Sequence, residues 1–177
     1  MDSIRIRPYQ RNDADGLYEA VRESIKEVSP WLPWCHMDYS INDAKWWVAR
    51  QVRMFATGTE YQFVIKGGDG AFLGGCGLNQ INTEHQFANL GYWMRTSAQG
   101  QGHATAAVTQ LTQWAFANTS LRRLEIIAAA GNKASAKVAA KSGAEYEGIL
   151  RQRLNIRDEW HDVKLYALIA PDAPGST

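Results

Sequence analysis

The chain has 177 residues, 45% of them hydrophobic, and a formal net charge of +1. That length supports one domain with a real core, and so balanced a charge presents no field that would recruit nucleic acid or an anionic membrane. Two distant cysteines, Cys35 and Cys76, form no Cys-x-x-Cys and argue for free thiols in a reducing compartment rather than a metal site; with neither a signal-like start nor a membrane-length apolar run, a cytoplasmic protein with no metal is expected.

Ile4 to Pro8 alternates apolar and charged side chains, as a half-buried strand does. Asn12 to Asp15 then offers caps for a helix carrying Leu17, Ala20, Val21 and Ile25. Ser29 to Trp34 reads Ser-Pro-Trp-Leu-Pro-Trp, and its two prolines forbid a helix interior. A second helix is expected over Ile41 to Phe55, with Trp46 and Trp47 on it. Tyr61 to Ile65 and Ala71 to Leu78 read as a hairpin around Lys66 to Gly70. Gly74, Gly75 and Gly77 inside its second strand signal a bulge or a close backbone approach.

Phe87 to Met94 is the next strand, and Ala104 to Ala117 a helix. Arg123 to Ala129 is a strand, and Asn132 to Ser142 a short helix stopped by Gly143. Ala144 to Leu150 and Trp160 to Ile169 close the chain as strands, giving one domain over residues 1–170 and a polar tail over 171–177. Hairpins mixed with crossover helices predict an α+β domain on a mixed sheet.

The richest segment runs from Tyr92-Trp93-Met94 through Arg95 to Gln99 into Gly100-Gln101-Gly102-His103-Ala104-Thr105. A strand, a glycine turn and a helix N-terminus in that order build a phosphate site, because the first helical N–H groups lack partners and glycines let a ligand approach the backbone. The Gly-Lys-Ser/Thr of a Walker loop is absent. A dinucleotide fingerprint would find an acid in Glu125, but Thr105 stands where its third glycine belongs.

Gln99-x-x-Gly102-x-Ala104 instead resembles the acyl-CoA loop of the GNAT superfamily of N-acetyltransferases. The preceding strand, the segments Asn132-Lys133-Ala134-Ser135 and Lys141-Ser142-Gly143-Ala144, the end Trp160 to Tyr166 and the early Trp31-Leu32-Pro33-Trp34 extend the resemblance from Ile4 to about Ile169. They point to the branch that includes ribosomal-protein N-terminal acetyltransferases. The resemblance implies a GNAT fold: a mostly antiparallel central sheet with one splayed strand pair and helices on both faces. It also implies acetyl-CoA as cosubstrate and direct transfer to a primary amine. The implied acceptor is a ribosomal or other protein N-terminus, with a small amine (polyamine, amino acid or aminoglycoside) or a non-catalytic acyl-CoA-binding module as alternatives.

By the same resemblance, the N–H groups of Gly100, Gln101, Gly102, His103, Ala104 and Thr105, behind Gln99, hold the pyrophosphate. Backbone groups of Trp93 and Arg95, flanking Met94, pair with pantetheine, and Asn132 contacts the same arm. Ser135 protonates the departing thiolate, since the helix carries no tyrosine further along at Lys137 to Ala140. Asn132 and Ser135 also suit helix capping. An amine must shed a proton, and Glu84, beside His85 in the loop before the splayed strand, is the candidate base; His161 and Asp162, adjacent in a strand, cannot both face one site. Trp31 and Trp34 are expected to wall the acceptor pocket, Trp46 and Trp47 to pack in the core; the exposed aromatic loop leaves room for a homodimer.

Overall fold

The computed structural model describes residues 3–171, so the tail beyond Pro171 lies outside the described residues. Strand β1 (Arg5–Pro8) leads through a 3₁₀ turn into helix α1 (Ala14–Val28), whose buried residues Leu17, Ala20, Val21, Ser24, Ile25 and Val28 recur at helical spacing along one face. Helix α2 (Ile41–Thr57) opens on a capping box: Ser40 Oγ accepts from Asp43 N–H, while the Asp43 carboxylate accepts from Ser40 N–H. It closes at Gly58, which is left-handed at φ 69°.

Strands β2 (Tyr61–Lys66), β3 (Phe72–Asn82) and β4 (Phe87–Met94) follow, then α3 (His103–Asn118), β5 (Arg123–Ala129), α4 (Lys133–Lys141), β6 (Glu145–Ile156) and β7 (Glu159–Ile169). They form one seven-stranded sheet in the order β1-β2-β3-β4-β5-β7-β6. All neighbours are antiparallel except β4 and β5, which run parallel.

The β4–β5 pairing ends after Phe87–Arg123, Ala88–Leu124 and Asn89–Glu125. From Leu90 to Met94 and from Ile126 to Ala129 the two strands diverge, and this splay opens the middle of the sheet. Alternation along the strands divides the core in two. Phe63 and Ile65 join Leu78, Leu90, Leu111 and Leu124 under α3 and α4, whereas Val64 joins Leu17, Val21 and Val48 under α1 and α2. The helices therefore cover both faces.

Two strands outrun their sequence-based limits. β3 continues past Leu78 to Asn82 through an irregularity after Asn79, and β6 continues past Leu150 to Ile156 around an irregularity spanning Leu150 to Leu154. Gln80 and Gln152 both have positive φ there, 50° and 49°. Each irregularity breaks the two-residue rhythm by which a strand is read.

Candidate active site

The splay opens into a cavity of about 890 Å³ that runs through the sheet. On one side lies the glycine turn. Gly100 and Gly102 are left-handed at φ 75° and 84°, and nothing stands within 4 Å of where a Cβ on Gly100 would be. The first bond of α3 runs from Ala106 N–H to Gly102 O at 3.1 Å, so the N–H groups before it are not used by the helix. Gly100, Gly102, His103, Ala104 and Thr105 line the cavity. His103 is 7% exposed and its Nδ1 has no hydrogen-bond partner among the described residues. Unused amides, a buried polar atom without a partner and a surface free of side chains suit a diphosphate.

Helix α1 braces the approach to this turn. Arg95 Nε donates to Glu23 Oε2 at 2.9 Å, Ser97 N–H donates to Glu23 Oε1 at 2.7 Å and Thr96 N–H to Ser24 Oγ at 3.0 Å. The Arg95 guanidinium, backed by Ser97, holds the Glu23 carboxyl down at about 2. Arg95 is therefore a strut and lies off the cavity wall, as does Gln101, whose Nε2 donates to Ser97 O.

The register corrects the pantetheine pair. Arg95 N–H donates to Leu73 O at 2.8 Å, so it faces β3, and Trp93, two residues earlier and paired with Gly75, turns its backbone the same way. The groups directed into the splay belong to Tyr92 and Met94. Of these, Met94 O accepts from Gln99 Nε2 at 3.2 Å.

Across the splay, Asn132 caps α4 by accepting from Ser135 N–H at 3.0 Å, and both residues line the cavity. Ser135 meets a residue that sequence reading misses. Tyr92 Oη donates to Ser135 O at 2.8 Å and lies 3.1 Å from Ser135 Oγ. A phenol has one proton, so in this arrangement the serine hydroxyl donates to Tyr92 Oη. Burial pushes the Tyr92 hydroxyl up to about 12, although the Ser135 bond pulls the other way. Helix α4 has no tyrosine of its own; β4 supplies one from 43 residues away.

Glu84 is not in the site. It is exposed in the β3–β4 turn, beside His85 and away from the cavity lining. That turn enters β4 at Phe87, the end paired with β5, while the splay opens at the other end. Glu125 also lies off the lining, paired to Arg123 Nε at 2.8 Å, which removes the ribose acid of the dinucleotide reading. Asp162 accepts from Gln152 N–H, and neither it nor His161 lines the cavity.

The side facing α1, α2 and the β6–β7 tip is aromatic. Trp34 stacks edge-on against Trp93 at 5.4 Å and approaches Tyr39, while Trp31 lies over Gly131. Trp34 is 39% exposed. Trp47 packs against the α1–α2 core, but Trp46 is 65% exposed on the cavity wall, contrary to the packing role expected of it. Arg153 and Leu154 come from the unforeseen continuation of β6.

A splayed sheet, an anion cradle and a hydroxyl pair beside the gap define a transferase built to hold an extended phosphate-bearing donor. The chain matches the family model of the acetyltransferase (GNAT) domain over residues 3–145 and belongs to that family. It is 29% identical to the ribosomal-protein-serine acetyltransferase of Escherichia coli (strain K12), covering 95% of this chain and 93% of that one. Among solved structures it resembles RimL, a ribosomal L7/L12 alpha-N-protein acetyltransferase in complex with coenzyme A, with a TM-score of 0.85 and 24% identity over 94% of each chain. It also resembles the microcin C7 self-immunity acetyltransferase MccE in complex with acetyl-CoA and AMP, with a TM-score of 0.88 and 20% identity over 96% of this chain and 93% of that one. The chain is thus a GNAT-type N-acetyltransferase that uses acetyl-CoA. No helix among the described residues is long and apolar enough to cross a membrane.

Proposed function

We propose that this acetyltransferase acts on the α-amine of a protein or peptide N-terminus. The observation that carries this reading is the state of the carboxylates on the acceptor side. Glu27 accepts from Thr96 Oγ1 at 2.9 Å, and Asp43 is engaged in its capping box, while Arg153 adds positive charge from the β6–β7 tip. A polyamine or aminoglycoside needs several free carboxylates to balance its ammonium groups. A peptide terminus needs none beyond its single nitrogen. The ribosomal-protein-serine acetyltransferase supports the same acceptor class.

In this reading the glycine turn holds the pyrophosphate, and the backbone groups of Tyr92 with the N–H of Met94, directed into the splay, align the pantetheine, while Met94 O is held by Gln99. The neutral amine attacks the thioester carbonyl, the C–N bond forms and the C–S bond breaks. As the C–S bond breaks, the Ser135 hydroxyl turns its proton from Tyr92 Oη to the departing sulfur, the Tyr92 proton turns from Ser135 O to Ser135 Oγ, and the proton lost by nitrogen replaces the one the thiolate takes up. An α-amine titrates near 8, so a useful fraction is neutral at pH 7 without a carboxylate base. Tyr92 stays protonated and aims the serine hydroxyl.

The test is transfer of acetyl from acetyl-CoA to a panel of peptides with free N-termini, a polyamine and an aminoglycoside, read by mass spectrometry. Product on the peptide α-nitrogen is expected. Product on the polyamine or aminoglycoside alone would replace this reading with the small-amine one, and binding of acetyl-CoA without transfer to any acceptor would leave only a binding module.

A further inference from the structure

The acceptor face of the sheet holds a feature that acetyl transfer itself does not require. Gln62 of β2, Gly77 of β3 and Gly91 of β4 stand side by side in register, and Asn79 stands opposite Asn89 two residues further along. All lie on the face toward α1 and α2, since Val64 and Trp93, each two residues from a member of this row, pack into that core. Gly77 is the reason the row is open. A Cβ there would stand 2.1 Å from Gln62 Oε1 and 2.7 Å from its Nε2, so the Gln62 amide lies across bare backbone. Gly75 makes the same accommodation for Trp93 Nε1.

The amides are under-used. Asn89 Nδ2 donates to Asn79 Oδ1 at 2.9 Å. Beyond that bond, Asn79 Nδ2, Asn89 Oδ1 and both polar atoms of Gln62 have no partner among the described residues, and none is sealed from solvent. All three side chains line the cavity. Its charged groups come from elsewhere: Glu27 from α1, Asp43 from α2, Lys137 and Lys141 from α4, Arg153 from β6. Strands β2 to β4 therefore offer neutral donors and neutral acceptors together, and no charge.

A secondary amide is the group that matches this chemistry. It brings one N–H and one C=O, both needing partners when water is displaced, and it carries no charge to balance. We infer that Gln62, Asn79 and Asn89 form an acceptor subsite that binds the first peptide bond of the substrate. Asn89 is the last β4 residue paired with β5 and the splay opens directly after it, so a peptide bonded along this row has its α-amine beside the splay. This inference rests on the peptide reading above.

The experiment uses steady-state kinetics with a tetrapeptide amide beginning with serine and, in parallel, a simple alkylamine that has no amide. Gln62→Ala and Asn89→Ala are each expected to raise the KM for the peptide about three- to tenfold, the range for one neutral hydrogen bond. The KM for acetyl-CoA and the rate with the alkylamine stay unchanged. The same peptide methylated on its first peptide nitrogen loses a similar factor with the native enzyme and nothing more with the Gln62→Ala/Asn89→Ala double variant; the native-enzyme arm does not depend on any variant folding. Good peptide turnover with unchanged peptide KM in both variants, and indifference of the native enzyme to methylation, overturns the subsite alone. Transfer to the alkylamine and to no peptide overturns the subsite together with the peptide reading.

Discussion

On the side of β4 that meets α3 and α4, the cavity wall includes a continuous stretch of main chain, the turn from Gly100 to Thr105 and the edge of Tyr92 and Met94 that faces the splay, beside the side chains of Asn132, Ser135, Lys137 and Lys141. On the side that meets α1, α2 and the β6–β7 tip, it is largely side chain: Trp31, Trp34, Trp46, Gln62, Asn89 and Arg153. In the proposed reading the difference follows the two ligands. A diphosphate and an amide-bearing arm are read by repeated N–H and C=O groups, which any sequence supplies once glycines shape the turn. An acceptor is distinguished by features that only side chains can read. Acceptor preference can therefore change without disturbing donor binding, and the two sides should respond separately to substitution.

Ser135 stands at the junction of the two sides and should show the largest effect. Ser135→Ala is expected to lower kcat about a hundredfold, at the lower end for loss of a proton donor, with acetyl-CoA affinity by calorimetry nearly unchanged. Unaltered turnover would remove Ser135 from the chemistry. Next comes Gly102→Val on the donor side. A β-branched residue at φ 84° carries about 1–3 kcal/mol of strain, which the turn would relieve by distorting. Acetyl-CoA affinity should fall about thirtyfold, taking each 1.4 kcal/mol as a factor of ten, while peptide KM extrapolated to saturating acetyl-CoA stays put. A parallel loss of peptide affinity would mean that the sides are not separable.

Tyr92→Phe keeps the ring in the splay and removes only the hydroxyl. A three- to tenfold fall in kcat is expected, the size of one buried hydrogen bond. Combined with Ser135→Ala it should add little, because the two act as one unit. Titration gives a second reading. The Tyr92 hydroxyl is raised from 10 to about 12, chiefly by burial. The folded chain thus keeps a proton that the unfolded chain gives up above pH 10, so this group's contribution is intact below pH 10 and is lost as pH rises through 12. Tyr92→Phe should flatten the part of the alkaline fall in stability that this group causes, measured by urea unfolding between pH 9 and 11. An unchanged slope would place that loss elsewhere.

The same asymmetry decides what can be read from the sequence. Gly100 and Gly102 announce themselves because a strand, a turn and a helix N-terminus are contiguous, and Asn132 and Ser135 because capping has a three-residue period. Helix and strand order is legible for the same local reasons. Tyr92 is not: its partner is 43 residues away, and nothing in Gly-Tyr-Trp-Met says which edge of the strand faces the gap. That edge depends on the bond from Arg95 N–H to Leu73 O, which also overturns Trp93 and Arg95 as the pantetheine pair. Glu84 misleads because nearness in sequence to the splayed strand puts it at the strand's closed end. The glycines of β3 correctly forecast a close approach, but the side chain that uses Gly77 belongs to the neighbouring strand.

Trp34 gives the smallest and most selective test. Trp34 is 39% exposed yet held edge-on by Trp93, whose strand also carries the edge that faces the splay. If Trp34 only covers Trp93, Trp34→Ala should loosen β4 and weaken acetyl-CoA binding, together with a fall in thermal stability. If it walls the acceptor cleft, the peptide KM should rise about two- to fivefold, within the 0.5–1.5 kcal/mol that an aromatic pair contributes beyond burial, with acetyl-CoA affinity unchanged. The second outcome is expected, because Trp93 is independently anchored: its strand is paired to β3 through Gly75, and its ring packs against Phe72 at 6.2 Å. Removing one exposed neighbour leaves both supports in place, so the effect should stay on the acceptor side.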